Sequence, residues 1–261
     1  MQYSRDEMMT ITAARRLKNH AVCFVGIGLP SAACNLARLT HAPDIVLIYE
    51  SGTIGTKPSV LPLSIGDGEL AETADCIIPL PEVFSYLLQA GRIDIGFLGA
   101  AQIDKYANLN STVVGDYQQP NTRLPGAGGA PEIAMHAKEV LIVLKQSPRA
   151  FVEKLSFRTS VGFGDGHGYR QRMGLSGHGP AAVITDYGVM TPDPLTQELT
   201  FTEMYPGVTV EQARAATGWD LKVSDQLTIT AEPTAQELTV LRQLKEQTAE
   251  AHQRSVALPV Y

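Results

Sequence analysis

Short runs that are apolar throughout, set between helix-like segments, constrain this chain more than any other feature. "AVCFVG" (21–26) precedes "IGLPSAACNLARLTH", which turns through Gly28 and Pro30 into a helix with Ala33, Leu36 and Leu39 or Ala37 inward; "DIVLIYE" (44–50) follows. A strand with one wet face alternates apolar and polar residues, whereas these runs do not, so both faces need cover. That is the pattern of a parallel sheet between helices. The rhythm repeats in "DCIIPL" (75–80), the helical "PEVFSYLLQAGR" (81–92) with Gly91 at its end, "IDIGFLGA" (93–100) and "EVLIVLK" (139–145). The expected class is α/β, a mostly parallel sheet flanked by helices.

Outside this rhythm, "SRDEMMTITAARRLKN" spaces Met8, Ile11, Ala14 and Leu17 helically after Ser4, with Glu7 three residues on as a capping box. "AAVITDYGVM" reads as a strand, "TVEQARAATGWD" as a capped helix and "TAQELTVLRQLKEQTAEAHQ" as a long amphipathic helix. No internal repeat interrupts them. A length of 261 residues fits one large α/β domain spanning 1–261.

Bulk composition narrows the partners. The formal charge of −6 and the lack of a Lys/Arg cluster argue against nucleic acid. Apolar runs such as Val140 to Leu144 fall far short of the ~20 residues of a membrane span, and the N-terminus lacks the apolar centre of a secretory signal. A cytoplasmic protein is expected, with no membrane partner. Cys23, Cys34 and Cys76 are odd in number and widely spaced, and two lie in apolar runs, which predicts reduced core thiols rather than disulfides or a zinc site.

Two stretches carry chemistry. In "VLIYESGTIG" (46–55) an apolar run ends on Glu50, and in open α/β sheets ligands bind beyond the carboxyl ends of strands. A strand-end carboxylate can simply cap a turn or pair with Lys57. Alternatively, with a reference pKa of ~4.3, it is an ionised nucleophile at neutral pH. Ser51 lacks the G-x-S-x-G elbow of hydrolases. In "RLPGAGGAPEIA" (123–134), closely spaced glycines let backbone N–H groups approach a ligand and hold an oxyanion, or form an ordinary loop before a helix starting near Pro131. Tyr117, Gln118 and Arg123 lie between candidate site loops, and Arg123 can hold a carboxylate bidentately or sit on the surface. "GIGLPS" (26–31) lacks the third spaced glycine of a dinucleotide loop, and His167 and His178 fit no metal motif, so they read as solvated loop histidines with no metal expected.

Taken in order, "YESG", "LGAAQID", "NSTVVGDY" and "LPGAGGAPEIA" resemble the β subunits of class I coenzyme A transferases of the glutaconate type, over nearly the whole chain. The resemblance implies the family's three-layer α/β fold, an obligatory α subunit in a hetero-oligomer, and acyl-CoA and dicarboxylate substrates. Coenzyme A thioester enters as substrate and no other cofactor is implied. "IYESG" is similar to the segment holding the catalytic glutamate, here Glu50; "GAGGA" is similar to the loop whose amides line the oxyanion site, here Gly128 and Gly129. The acceptor's distal carboxylate needs a cation, for which Arg123 and Lys57 are the candidates. The closer phrasing from residue 22 to 75 implies succinyl-CoA as donor and 3-oxoadipate as acceptor. Glutaconate or another 3-oxoacid as acceptor, an acyl-CoA hydrolase on the same fold, and a non-catalytic subunit stay open.

Overall fold

The computed structural model describes residues 2–257. Contacts group the described residues into two compact units, one formed by 2–83 with 233–257, the other by Phe84–Glu232.

The first unit opens with α1 (Arg5–Arg15), where Ser4 and Glu7 form the expected capping box. The chain continues through β1 (Val22–Phe24), α2 (Leu29–Arg38), β2 (Val46–Ile48), β3 (Thr53–Ile54), α3 (Gly68–Glu72) and β4 (Cys76–Ile77). β1 and β2 pair in parallel with Val22 opposite Val46, as their apolar sequences require. β3 then adds antiparallel to β2, and β4 antiparallel to β3. Cys23 and Cys34 are free, buried thiols as expected, but Cys76 is a correction: it is free and exposed, because both residues of β4 face outward.

A single helical turn, α4 (Leu80–Glu82), runs into a π-helix at Val83–Leu88 where the sequence suggests an ordinary helix. The second unit then supplies β5 (Ile95–Leu98), β6 (Gln102–Ile103), β7 (Leu109–Asn110), β8 (Val113–Gly115), β9 (Pro120–Arg123), α5 (Ala130–His136) and β10 (Glu139–Val143). It continues with α6 (Tyr169–Arg172), β11 (Pro180–Ile184), β12 (Gly188–Pro192), β13 (Leu199–Met204), α7 (Val210–Ala215) and β14 (Lys222–Ile229). β5, β10 and β11 run parallel, with α5 pressed so tightly on β5 that a Cβ at Gly96 would collide with Ile133. The "AAVITDYGVM" strand is corrected to two antiparallel strands, β11 and β12. The Thr185 hydroxyl accepts from the amides of Tyr187 and Gly188 and stabilises the reversal between them.

α8 (Ala235–Ala257) returns to the first unit and buries Leu238, Leu241 and Leu244, as its amphipathic spacing requires. It packs on α1 and α2, and Arg15 forks onto Glu237 at 2.6 and 2.7 Å. No helix among the described residues is long and apolar enough to cross a membrane.

Candidate active site

The strand read over 44–50 stops at Ile48, and the chain reverses at Glu50 instead of proceeding to a helix. The Tyr49 carbonyl accepts from Gly52 N–H at 3.0 Å, and Tyr49 N–H donates to the Thr53 carbonyl at 3.1 Å. Glu50, Ser51 and Gly52 thus form the three-residue connection of a β-hairpin. Gly52 makes it possible: its φ is +101°, and any side chain there would drive into the Ile78 carbonyl oxygen, while Ile78 N–H donates back to Gly52 at 3.0 Å. The carboxylate therefore sits on a turn fixed by the strands on both sides.

Glu50 is half-buried, and its carboxylate makes no hydrogen bond or ion pair with a described residue. Pairing with Lys57 does not occur, because the Lys57 ammonium binds Asp75 at 2.8 Å on the surface. Beside Glu50, the hydroxyls of Ser51, Thr53 and Thr56 are buried without a hydrogen-bond partner among the described residues. An unmet buried hydroxyl costs roughly 1–3 kcal/mol, a cost that functional sites are known to carry.

Behind the turn lies a network that the sequence reading missed. Tyr49 is fully buried, and its hydroxyl lies 2.9 Å from Ser31 Oγ in the first turn of α2. Ser31 donates to the Gly26 carbonyl, Asn35 donates to the Ser31 carbonyl, and Arg38 donates to Asn35 Oδ1 and to the Pro58 carbonyl. Burial pushes the Tyr49 phenol well above its ordinary range, so it stays protonated and serves as a donor. A Ser at the first turn after a Gly-rich loop, paired with a Tyr at a strand end, is the signal available in the sequence.

In the second unit, the glycine loop is tied to the segment before β8. Gly126 N–H donates to the Ser111 carbonyl at 2.9 Å, Ser111 Oγ returns a bond to the Gly126 carbonyl at 2.8 Å, and Thr159 Oγ1 accepts from Ser111 N–H. Gly126 and Gly128 have φ of +108° and +49°, and no atom lies within 4 Å of where their side chains would point. Neither Gly128 nor Gly129 donates its N–H to a described residue. Gly129 caps α5, with Pro131 in the first turn as expected. The loop thus offers two amides unengaged among the described residues, that of Gly128 in an exposed stretch beside open space and that of Gly129 buried, and free N–H donors are what an oxyanion needs.

Arg123 Nη2 donates to the Tyr117 carbonyl at 2.9 Å and its guanidinium lies 4.8 Å from the Tyr117 ring, leaving the fork exposed. Tyr117 and Gln118 are exposed beside it, as are His167 and His178 in their loop. No group of three or more metal-ligating side chains is present among the described residues.

The coenzyme A transferase profile matches residues 6–216, and the chain belongs to that family. It is 63% identical over 250 residues to a subunit of the 3-oxoadipate CoA-transferase of Pseudomonas knackmussii, covering 96% of each chain. A subunit of the glutaconate CoA-transferase of Acidaminococcus fermentans is 39% identical over 235 residues, with 88% of each chain covered. The crystal structure of the latter organism's glutaconate coenzyme A-transferase superposes with a TM-score of 0.89 at 35% identity, covering 95% of this chain and 97% of that one. The α/β class with mostly parallel strands flanked by helices is therefore the coenzyme A transferase fold.

Proposed function

We propose that this chain is the β subunit of an enzyme that moves coenzyme A from succinyl-CoA to 3-oxoadipate, giving succinate and 3-oxoadipyl-CoA, in complex with an α subunit. The observation that carries the reading is the Glu50 carboxylate, without a partner among the described residues, on its fixed hairpin, in a chain 63% identical to a protein named for that transfer. Glu50 attacks the thioester carbonyl, coenzyme A leaves as thiolate, and a glutamyl–succinyl anhydride remains. The thiolate attacks the Glu50 carbonyl, releasing succinate and leaving a glutamyl thioester. The 3-oxoadipate carboxylate attacks that thioester, the thiolate leaves again, and its attack on the acceptor's acyl carbon frees Glu50. No proton needs moving, which suits a carboxylate nucleophile without a general base.

Each addition creates an oxyanion, the task assigned to the amides of Gly128 and Gly129; one such donor is worth ~3 kcal/mol of barrier. Arg123 and Lys57 are the cations for the acceptor's distal carboxylate, and of the two Arg123 has the freer donor fork. The test is an acceptor screen with succinyl-CoA and the co-expressed α subunit. Turnover is expected with 3-oxoadipate and not with Glu50→Ala, which should still assemble; wild-type turnover in that variant, or label trapped elsewhere than Glu50 by borohydride, defeats the assignment.

A further inference from the structure

Away from the glycine loop, three side chains of the second unit stand in a row. Ser176 Oγ lies 2.9 Å from His136 Nδ1, and His136 Nε2 lies 3.3 Å from Glu132 Oε2, one helical turn back along α5. Gln89 Nε2 donates to that same carboxylate oxygen at 3.1 Å and steadies it. The carboxylate favours the imidazole proton on Nε2, so Nδ1 offers its lone pair to the serine hydroxyl. This is a nucleophile, its base and an orienting carboxylate, with the two ring nitrogens exchanged relative to the Ser-His-Asp template.

The row is held from outside. Ser176 belongs to "GLSGHG" (174–179), whose backbone lies on the end of α5: Gly177 N–H donates to the Met135 carbonyl and His178 N–H to the Lys138 carbonyl, both at 2.8 Å, and Arg170 Nε donates to the Gly177 carbonyl at 2.9 Å. A Cβ at Gly177 would collide with the Ala137 and Met135 carbonyls, so a glycine is required for this approach. Those contacts fix the segment by themselves, and the Ser176–His136 bond is surplus to them. Ser176 is exposed, His136 is half-buried, and the Ser176 N–H makes no hydrogen bond with a described residue. A nucleophile's own amide is one of the donors that hold an oxyanion. His178 stands where the hydrolase elbow has its second glycine, so geometry rather than motif reveals the arrangement.

We propose that Ser176, His136 and Glu132 form a second acyl-accepting site, separate from Glu50, that hydrolyses small activated carboxylic esters. Ser176 Oγ adds to the ester carbonyl as its proton passes to His136 Nδ1; the carbonyl carbon's bond to the alcohol oxygen breaks, and the alcohol leaves with that proton. Water then adds to the acyl-serine and gives a proton to Nδ1, and the Ser176 oxygen leaves and takes it back. Ester and water thus become acid and alcohol. Glu132 touches no substrate and is a positioning residue. Ser176 stands on open surface, which suits small acyl groups with good leaving groups rather than a ligand that needs enclosure.

The experiment uses this chain assembled with its α subunit and carrying Glu50→Ala, so that the Glu50 carboxylate cannot attack the probes. These are p-nitrophenyl acetate and a fluorophosphonate, with the adduct located by peptide mass spectrometry. Nitrophenolate release and a fluorophosphonate adduct on Ser176 are expected, and Ser176→Ala should lose both. His136→Ala should slow labelling about a hundredfold or more. Glu132→Ala should slow it less, and Glu132→Asp should recover part of the rate, which a merely structural role would not require. With Glu50 intact, Ser176→Ala should keep the kcat for coenzyme A transfer. No adduct on Ser176, unchanged nitrophenolate release in Ser176→Ala, or a labelling rate indifferent to His136→Ala overturns the site and leaves the transferase reading standing.

Discussion

The Tyr49 hydroxyl lies 2.9 Å from Ser31 Oγ, and the Ser31 proton is already committed to the Gly26 carbonyl, so Tyr49 is the donor of the pair. One buried bond therefore joins the residue before Glu50 to the loop that opens α2. Tyr49→Phe keeps the ring and deletes that bond, which should cost about 1 kcal/mol in urea unfolding. Tyr49→Ala also empties the site and should cost about 3 kcal/mol or more. In Tyr49→Phe, kcat should fall further than KM moves, since the turn carrying Glu50 loses its tether while the substrate contacts remain. Wild-type stability and kcat in that variant would show the bond to be idle.

Gly52 and Gly28 separate backbone strain from collision. Both have positive φ, +101° and +83°, but a Cβ at Gly52 strikes the Ile78 carbonyl whereas none lies within 4 Å at Gly28. Gly28→Ala should lose on the order of 1–2 kcal/mol from strain alone. Gly52→Ala must also part β4 from the hairpin, so its thermal midpoint should drop further, and with it the transferase activity. Equal midpoints in the two variants would mean that β4 yields to the side chain without cost.

The parallel core was legible because burial on both faces leaves an unbroken apolar run, as in Val22–Phe24 and Val46–Ile48. The same signal cannot report direction. "AAVITDYGVM" is apolar on either side of Thr185, and only the side-chain bonds from Thr185 to the next amides reveal a hairpin there. Glu50 and the glycine loop stood out as a charge at the end of an apolar run and as clustered Gly. The Tyr49–Ser31–Asn35–Arg38 network did not, because its members lie 3 to 18 positions apart and meet only when α2 packs on β2. Lys57 shows the converse limit: proximity to Glu50 in the chain says nothing of Asp75, which β4 brings alongside.

Arg242 holds the Glu7 carboxyl at about 2, below its ordinary 4.5, through a 2.6 Å bond that clasps α8 to α1. A carboxyl depressed in the folded state stabilises fully above its unfolded value and loses that contribution as pH falls from 4.5 toward 2. Arg242→Ala should therefore be less stable than wild type by up to ~1 kcal/mol at neutral pH, the usual scale for a largely surface pair. The gap should narrow progressively below pH 4.5, measured by denaturant midpoints. A gap that holds constant down to pH 2.5 would assign the loss to packing of the Arg242 stem instead.

Arg170 poses the opposite case, a buried cation with no carboxylate partner among the described residues. Its Nε donates to the Gly177 carbonyl at 2.9 Å, Nη1 to Gly162 at 2.9 Å, and Nη2 to Ala134 and Met135 at 3.0 and 3.2 Å. Burial lowers its pKa to about 10, which leaves it charged at neutral pH. Four carbonyls take the place of an anion, two of them at the C-terminal end of α5, where a helix favours positive charge. A lysine keeps the charge but not the planar fork, so it cannot span carbonyls from three separate segments. Arg170→Lys should destabilise by about 2–3 kcal/mol, and Arg170→Met by more, because it strands the carbonyls of Gly177, Gly162 and Ala134 at once, while that of Met135 keeps the Gly177 N–H. Since α5 begins at the glycine loop, the damage in Arg170→Lys should extend to kcat with succinyl-CoA even at temperatures where the variant is fully folded. Full kcat in a folded Arg170→Lys protein would confine the arginine to holding the loop from 161 to 180.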